Sequence, residues 1–582
     1  MRVIEQANQW LEADPDPTTQ QQLRELLEQA QQGRQSAVDQ LKEAFAGPLA
    51  FGTAGLRGPL GPGPARMNRA VVIRAAAGLM AYLQSVIAAD PAASEAAKPP
   101  KVVIGYDARH RSADFARDTA AVVMAAGGRA LLWERDCPTP LLAFAVRHLK
   151  ADAGVMVTAS HNPAADNGYK VYLGGRAAPG PADGVQIVPP ADWEIAQQIA
   201  QAPLAKDVPR AARGWEVIGA DQEREYLRRA VESVAPVAGA GGLRIVHTAL
   251  HGVGARIALE AFAQAGFSDV HTVPAQRDPD PDFPTVAFPN PEEPGAIDLA
   301  VALAERIGAD LVVAHDPDAD RCAAAVYDPR WRGGTWRMLT GDELGSLLGE
   351  DFAKRWSSFP LAPDGFRPTL ASSVVSSRLL ARIARQHLLR YSRTLTGFKW
   401  IARTSGLVFG YEEAIGYCVR PDLVRDKDGI TAALALGRLA AKTKLGGRSL
   451  IDLLDDLARK HGLHLTRQVA LRFGDGTGLA DAMKRLRRAA PKQIGTWPVS
   501  RTTDLLAGWE GLAATDALVF SLADSSRVVI RPSGTEPKVK CYLEVIIPVP
   551  ATASFTDLTA LRAQGNARLE SLAQAVRALL AP

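Results

Sequence analysis

The segment ADLVVAHDPDADR, residues 309–321, begins as a short apolar run and breaks into a polar loop. A run of that length bounded by polar residues reads as a buried strand with functional groups at its end. The same grammar recurs along the chain. VVIGYD at 102–107 is followed by a helical stretch, LLAFAVRHL precedes AGVMVTASHNP at 153–163, and LRIVHTALHGVG at 243–254 reads strand, loop, helix. Short strands alternating with helical patterns predict α/β units with parallel strands. In such units ligand groups gather beyond the carboxyl ends of the strands, where each of these runs carries its polar loop.

In the opening segment, Asp316, Asp318 and Asp320 stand at alternate positions and Arg321 follows. Three carboxylates so close together repel one another unless a cation lies between them. An all-oxygen ligand set selects a hard ion, Mg2+ or Ca2+. An EF-hand loop also opens D-x-D-x-D, but its sixth residue is Gly and its twelfth Glu; here those positions hold Arg321 and Tyr327. A triple-carboxylate site with open positions suits Mg2+ that also meets a phosphate oxygen.

Working outward, TASHNP at 158–163 places Ser160 on the loop after the strand-like GVMV. A serine hydroxyl needs a group to take its proton, and His161 and Lys170 are the nearby candidates. The same residues also make a good turn, so this loop alone decides little. RPSGTEPK at 531–538 follows SRVVI and combines Arg531, Ser533, Gly534, Thr535 and Lys538. A guanidinium fork, two hydroxyls, an amine and free backbone N–H groups form a phosphate cradle. GYEEAIG at 410–416 sets Glu412 and Glu413 between apolar residues, where carboxylates can accept hydrogen bonds from sugar hydroxyls; RDKDG at 425–429 offers Lys427 between two acids. FGTAGLRG at 51–58 is a tight Gly-rich segment carrying Arg57. HGVG at 251–254 lacks the rest of a dinucleotide fingerprint, and no P-loop or G-x-S-x-G elbow occurs.

The 582 residues predict roughly four domains. We place them at 1–220 (an α/β domain with a helical N-terminal extension and the Ser160 loop), 221–335 (α/β, metal-binding), 336–462 (α/β, sugar-binding) and 463–582 (α+β, phosphate-binding). The first 47 residues read as helices broken at Asp14-Pro15-Asp16-Pro17, with Leu23, Leu26 and Leu27 on one face. AADPAASEAAKPPK at 88–101 and LGGRAAPGPADG at 173–184 read as surface loops. Basic and acidic residues number 67 and 63, a net charge of +4 that makes no case for a nucleic-acid partner. Four scattered cysteines without a C-x-x-C pair fit a reducing compartment. The N-terminus has no apolar h-region and no uninterrupted apolar run reaches bilayer length. The expectation is a cytoplasmic protein with no membrane partner.

Together these motifs resemble the α-D-phosphohexomutase family. TASHNP, DPDADR, GYEEAIG and RPSGTEPK occur in the family's order, with FGTAGLRG, GYDARHRS, ALHGVG and TGFKWI between them, over roughly residues 45–545. FGTAGLRG and TASHNPAADNGYKVY look most like its phosphoglucomutase/phosphopentomutase branch. The resemblance implies three related α/β domains and a smaller fourth domain around a central cleft. It implies a phosphoserine at Ser160 that phosphorylates a sugar monophosphate, so that a bisphosphate turns over and returns its other phosphate. By matching position, Asp316, Asp318, Asp320 and the Ser160 phosphate hold Mg2+, and Arg321 neutralises the transferring group. Lys170 is then the general acid or base, with His161 and Arg57 beside it and Lys427 on the sugar side. Thr396, Gly397 and Lys399 of TGFKWI, with Glu412 and Glu413, contact the sugar. Arg531, Ser533, Gly534, Thr535 and Lys538 grip the non-reacting phosphate. The implied partner is a phosphosugar, the activator glucose 1,6-bisphosphate or a related bisphosphate, and the assembly a monomer or homodimer. Glucose phosphate stands first as substrate, pentose phosphate second and mannose phosphate third. Hexose-specific members often carry Ser two residues after the Glu matching Glu412, whereas this chain has Ala414, which weakens a hexose preference.

Two rivals remain at this level. A phosphatase using Asp316 as nucleophile leaves Asp320, Ser160 and the 531–538 loop without roles. A non-catalytic sugar-phosphate binder predicts a lost nucleophile or metal site, and both are present.

Overall fold

The computed structural model describes residues 2–52, 55–89, 98–358, 366–473, 476–533 and 538–581. They form two units: residues 1–325 together with 416–441, and residues 326–415 together with 442–582.

The first unit opens with helices Arg2–Ala13, Pro17–Gln31 and Gln35–Ala44. The break between the first two is a capping device. Asp16 accepts from the Thr18 amide and Pro17 occupies the first helical position, where a missing N–H costs nothing. Leu23, Leu27 and Leu41 build a small core, with Leu26, Val38 and Phe45 against it. Arg111 reaches Asp16 at 2.6 Å, and Trp10 packs beside Ala70 and Ile73, so the extension is fastened to the body.

The body contains two sheets. In the first, β1 (Leu56–Pro59), β2 (Lys101–Tyr106), β3 (Arg129–Trp133), β4 (Ala153–Val157), β5 (Asp166–Leu173), β6 (Val185–Gln186) and β7 (Glu216–Ile218) are arranged in the order β1-β5-β4-β2-β3-β7, with β6 on β5. Strands β4, β2, β3 and β7 run parallel, while β5 is antiparallel to β4 and β1. Central strands are buried on both faces, which is why GVMV and VVIG read as continuous apolar runs. The second sheet holds β8 (Ile245–Thr248), β9 (Val270–Thr272), β10 (Leu311–Ala314) and β11 (Ala323–Asp328). Strand β8 is parallel to β9 and β10, and β11 folds back antiparallel on β10.

Among the described residues, the helix Arg69–Ala88 is by length and hydropathy alone able to cross a membrane. It is a core helix: Val72, Leu79 and Leu83 enter the cluster under the first sheet, and Ile73 packs toward Val122.

In the second unit, β12 (Thr335–Met338) precedes the helix Gly341–Ser357, which is closed by a reciprocal Thr340–Glu343 capping box. Strands β13 (Thr369–Ser373), β14 (Arg390–Thr394) and β15 (Leu407–Glu412) are parallel, with β13 in the middle. The chain crosses to the first unit through β16 (Gly416–Cys418) and the helix starting at Gly429, then returns. The last block is an antiparallel sheet of β17 (Leu463–Arg472), β18 (Gln493–Ile494), β19 (Trp497–Asp504), β20 (Leu518–Leu522), β21 (Arg527–Pro532) and β22 (Lys538–Ile547), in the order β17-β22-β21-β20-β19-β18. The helix Phe555–Leu580 covers it through Leu558, Leu569, Leu572 and Val576. This is the α+β arrangement expected for the C-terminal block.

Candidate active site

The carboxyl end of β4 delivers TASHNP, and Ser160 sits there with φ +55° and almost no exposed surface. A non-glycine residue with positive φ needs a reason, and the loop supplies several. The Ser160 amide donates to Thr158 Oγ1 at 2.8 Å, and Thr158 Oγ1 donates to Asp107 Oδ2 at 2.6 Å. Arg109, from the GYDARHRS segment after β2, is buried and donates to four carbonyls of the loop. They are Ser160 O at 2.5 Å, Asn162 O at 2.7 Å, Pro163 O at 2.8 Å and Asp166 O at 3.2 Å. Its guanidinium lies over the Phe283 ring at 4.9 Å. Arg109 thus fixes the backbone that carries Ser160.

The carboxyl end of β10 delivers Asp316, Asp318 and Asp320, whose oxygens lie within 4.8 Å of one another in a fully buried cluster. Four surrounding groups shape this turn. His315 Nδ1 donates to the Arg321 carbonyl at 2.8 Å, and the Arg321 amide to Asp316 Oδ1 at 3.0 Å. The HGVG loop after β8 presses on the turn so closely that a Cβ on Gly252 would stand 2.3 Å from Pro317 Cα. From the other side Gly429 donates its amide to Ala319 O at 3.1 Å, and a Cβ there would be 2.2 Å from the Arg321 carbonyl. Glycine is required at both positions by close approach. Thr139 binds Asp318 twice, through Oγ1 to Oδ2 at 2.6 Å and through its amide to the carbonyl at 2.9 Å.

The two loops meet. Ser160 Oγ donates to Asp316 Oδ2 at 2.7 Å and lies 3.1 Å from His161 Nδ1. Lys170, on β5 opposite Met156, donates to Asp318 at 2.6 Å and to Asp320 at 2.9 Å. Lys427 approaches Asp320 at 3.1 Å, held next to Asp426, which accepts from Tyr172 and Gln186. Arg57, on β1, donates to Asn162 Oδ1 at 3.3 Å, and Arg321 lies within 4.0 Å of Asp316 and Asp320. All the reaction-centre residues expected from sequence, Ser160, His161, Lys170, Arg57, Asp316, Asp318, Asp320, Arg321 and Lys427, therefore belong to the first unit and form one continuous network.

Electrostatics here is a contest between burial and charge. Burial, and then Asp318 and Asp320, push the Asp316 carboxyl well above its ordinary range. Burial pushes Asp320 upward too, but Lys170, Lys427 and Arg321 outweigh it and hold it below. Burial opposes charge on Lys170, yet Asp318 and Asp320 keep it raised and protonated. Burial, with Arg321 and Arg57, holds the His161 imidazole far below its usual value, so it is neutral at pH 7. Asp318 Oδ1 and Asp320 Oδ1 are buried without a hydrogen-bond partner. Two orphaned carboxylate oxygens beside a third carboxyl that burial forces toward the acid form are the donor set of a hard divalent cation.

In the second unit Thr396, Gly397 and Lys399 follow β14, while Glu412 ends β15 and Glu413 begins its loop. Since β13, β14 and β15 are parallel, these loops share one sheet edge. Glu413 Oε2 accepts from Ser373 Oγ at 2.9 Å, at the end of β13, and from Ser376 Oγ at 3.0 Å, in the loop that follows. Arg531 and Lys538 flank the β21–β22 connection, closed by the Ser533 amide on the Lys538 carbonyl at 2.8 Å. Gly534 and Thr535 lie outside the described residues. Thr139, Arg109 and Asp107 were not singled out as site residues from sequence. The D-x-R of GYDARHRS was the one available signal.

The chain matches four consecutive families described as phosphoglucomutase/phosphomannomutase alpha/beta/alpha domain I (residues 48–205), domain II (224–329), domain III (340–461) and the C-terminal domain (485–555). A probable phosphomannomutase of Haemophilus influenzae is 42% identical over 82% of this chain and 93% of its own length. The phosphopentomutase of Mus musculus is 33% identical over 94% and 91%. The chain belongs to the phosphoglucomutase/phosphomannomutase family. It is a phosphosugar mutase, an intramolecular phosphotransferase of the α-D-phosphohexomutase superfamily, with three related α/β domains and a C-terminal domain. The fold is also that of a putative phosphomannomutase from Thermus thermophilus, at TM-score 0.65 and 22% identity over 90% of this chain and 99% of that one.

Proposed function

We propose that this mutase moves a phosphoryl group between the 1-position and the terminal hydroxyl of an aldopentose phosphate, through a phosphoserine at Ser160 and a sugar bisphosphate. The observation that carries the chemistry is the Ser160 Oγ–Asp316 Oδ2 bond, which places a buried hydroxyl against a carboxylate cluster also met by Lys170 and Lys427. A magnesium ion held by Asp316, Asp318, Asp320 and the phosphoserine would supply neutralisation of the transferring group. Arg57, Arg321 and Lys427 supply further positive charge where phosphoryl transfer spreads negative charge. When phosphoserine donates its phosphoryl group, the P–O bond to Ser160 breaks and a sugar hydroxyl oxygen takes the phosphorus. The sugar hydroxyl gives up a proton, and Ser160 Oγ regains one. Protonated Lys170 is equipped to give a proton, and neutral His161 to take one from Ser160 in the return step. A sugar 1,5- or 1,6-bisphosphate would prime Ser160.

The pentose reading rests on two supports. Ala414 presents a methyl where hexose-specific members often offer a hydroxyl, and it is partly exposed at the sheet edge that carries Glu412. Phosphopentomutases and phosphoribomutases recur among full-length relatives at 32–34% identity. A hexose reading is favoured by the 42% identical probable phosphomannomutase. Isomerase assays on ribose, glucose and mannose 1-phosphates, run side by side with a bisphosphate activator, separate them. The pentose reading requires the highest kcat/KM on ribose 1-phosphate; a preference for either hexose overturns it.

A further inference from the structure

The second unit contains a cavity of about 390 Å3 between the helix Gly341–Ser357, the strand after His461 and the helix Phe555–Leu580. Among the described residues, none of 396–399, 412–413, 531–533 and Lys538 lines it. Its polar wall converges on Asp455, a buried carboxylate just behind the lining. Arg330 Nη1 donates to both Asp455 oxygens at 2.9 and 3.0 Å, and Arg562 Nη2 to Oδ1 at 3.2 Å. Arg330 Nε also reaches Asp328 at 3.4 Å, and Arg337 bridges Asp328 and Glu343 at 2.8–3.0 Å.

With those bonds made, Arg330 Nη2, Arg562 Nε, Ser346 Oγ and His464 Nε2 are buried and have no protein partner. All four residues line the cavity, and the side chains of Arg330 and His464 are only 5% and 1% exposed. Buried polar groups are normally satisfied, so four orphans around one space point to an occupant. His464 Nδ1 donates to the Glu544 carboxylate at 2.9 Å, which leaves Nε2 as an acceptor. The unmet capacity is therefore three guanidinium N–H donors on two nitrogens, one hydroxyl and one acceptor.

Charge decides the class of occupant. Three guanidinium groups face three carboxylates, and Asp342 and Arg467, which also line the space, add one charge of each sign. A phosphate or carboxylate would enter this charge-balanced wall without a net counter-charge to offset its lost hydration. A hydroxyl brings no charge and both donates and accepts. The Trp331 indole and Leu454 and Leu457 complete the lining with apolar surface for a carbon skeleton. We propose that this cavity is a binding site for an uncharged polyhydroxyl compound, a free sugar or polyol, separate from the phosphosugar site. Its occupant would brace the helix bearing Ser346 against the helix bearing Arg562.

Saturation-transfer NMR of the full chain with ribitol, xylitol and glucose tests this, with excess glucose 1,6-bisphosphate present to fill the catalytic site. The expected result is transfer to at least one of the three that persists under the bisphosphate. It should weaken about tenfold in Ser346→Val, whose methyls enter the space, and in Arg562→Met. No transfer from any of them, transfer abolished by the bisphosphate, or transfer indifferent to both substitutions overturns the proposal. Should a variant not fold, a wild-type crystal soaked in the polyol decides: density bonded to Arg330, Arg562 and His464 supports the site, and ordered water alone refutes it. Inorganic phosphate filling the cavity in place of polyol refutes the class.

Discussion

Ser160 donates its hydroxyl hydrogen to Asp316 Oδ2 at 2.7 Å, although 156 residues separate the two in the chain. The Ser160 hydroxyl and the carboxylate cluster are thus assembled in advance, so under the proposed scheme little reorganisation is left for the reaction step. The Ser160→Ala variant should fold, because the loop is held by Arg109 and Asp107 rather than by Oγ. It should lose turnover by several orders of magnitude and fail to gain the phosphoryl mass increment on incubation with a sugar bisphosphate. Intact-protein mass spectrometry and the mutase assay read both, and a phosphorylated, active variant would end the phosphoserine scheme.

Arg109 is expected to act through Ser160. Arg109→Lys keeps a charge beside Asp107 but cannot reach four carbonyls with one ammonium group. A displacement of about 1 Å at the nucleophile is worth roughly 100-fold in rate. The expected result is a kcat reduced to that extent with KM little changed, and slower phosphorylation of Ser160. A raised KM at unchanged kcat would show that Arg109 serves substrate binding instead.

These two residues show what a sequence exposes and what it hides. Asp316, Asp318 and Asp320 advertise themselves because three like charges in five positions need an explanation within the segment itself. The β4–Ser160 and β10–Asp316 placements follow from apolar runs that end in polar loops. The 396–399, 412–413 and 531–538 segments stood out in the sequence for the same reason, as clusters of unusual polar composition. Arg109 binds carbonyls, which every residue possesses, so its partners leave no trace in sequence. Thr139 reads as a helix start, and only the fold brings its hydroxyl to Asp318. The helix Arg69–Ala88 has a composition that a core helix and a bilayer span share, and only its packing against Val122 and the first sheet tells them apart.

Asp342 makes the second unit sensitive to pH. Burial pushes its carboxyl up to about 6, with Glu413 adding to the rise, against bonds from the Ser377 amide, Thr466 and Tyr411. The unfolded chain has the ordinary value of 3.8. The native state therefore holds the extra proton between these values, and stability falls as pH rises through that window. By linkage the loss is complete above about pH 6 and amounts to about 3 kcal/mol. Asp342→Asn keeps Oδ1 as acceptor and removes the charge. Its melting temperature should match the wild type near pH 4.5 and exceed it at pH 7.5. Parallel curves for the two proteins would contradict this assignment.

Glu544 gathers five contacts on one buried carboxylate: Ser377 Oγ, the Arg378 amide and Nε, His464 Nδ1 and Arg527 at 3.3 Å. Burial alone would raise its pKa, but Arg527, the hydrogen bond from His464, and Arg378 carry it far below the ordinary range. Glu544→Ala leaves the Arg378 and Arg527 guanidinium groups without their buried carboxylate and should cost about 3–5 kcal/mol. Hydrogen exchange should accelerate in β17, β21 and β22 while β4 and β10 in the first unit keep their protection. Equal acceleration in both units, or none, would count against a local role.

The return of residues 416–441 to the first unit has a consequence for biosynthesis. Lys427 beside Asp320, the Gly429 amide on Ala319 and Tyr226 on Asp428 all tie an early-translated body to a late-translated segment. A nascent chain that has emerged only through residue 325 already holds Ser160 and all three aspartates, yet lacks Lys427 and the support of Gly429. The ribosome must deliver more than a hundred further residues, by the difference between 441 and 325, before that unit is whole. Chains arrested early therefore lack two of the groups that complete the reaction centre.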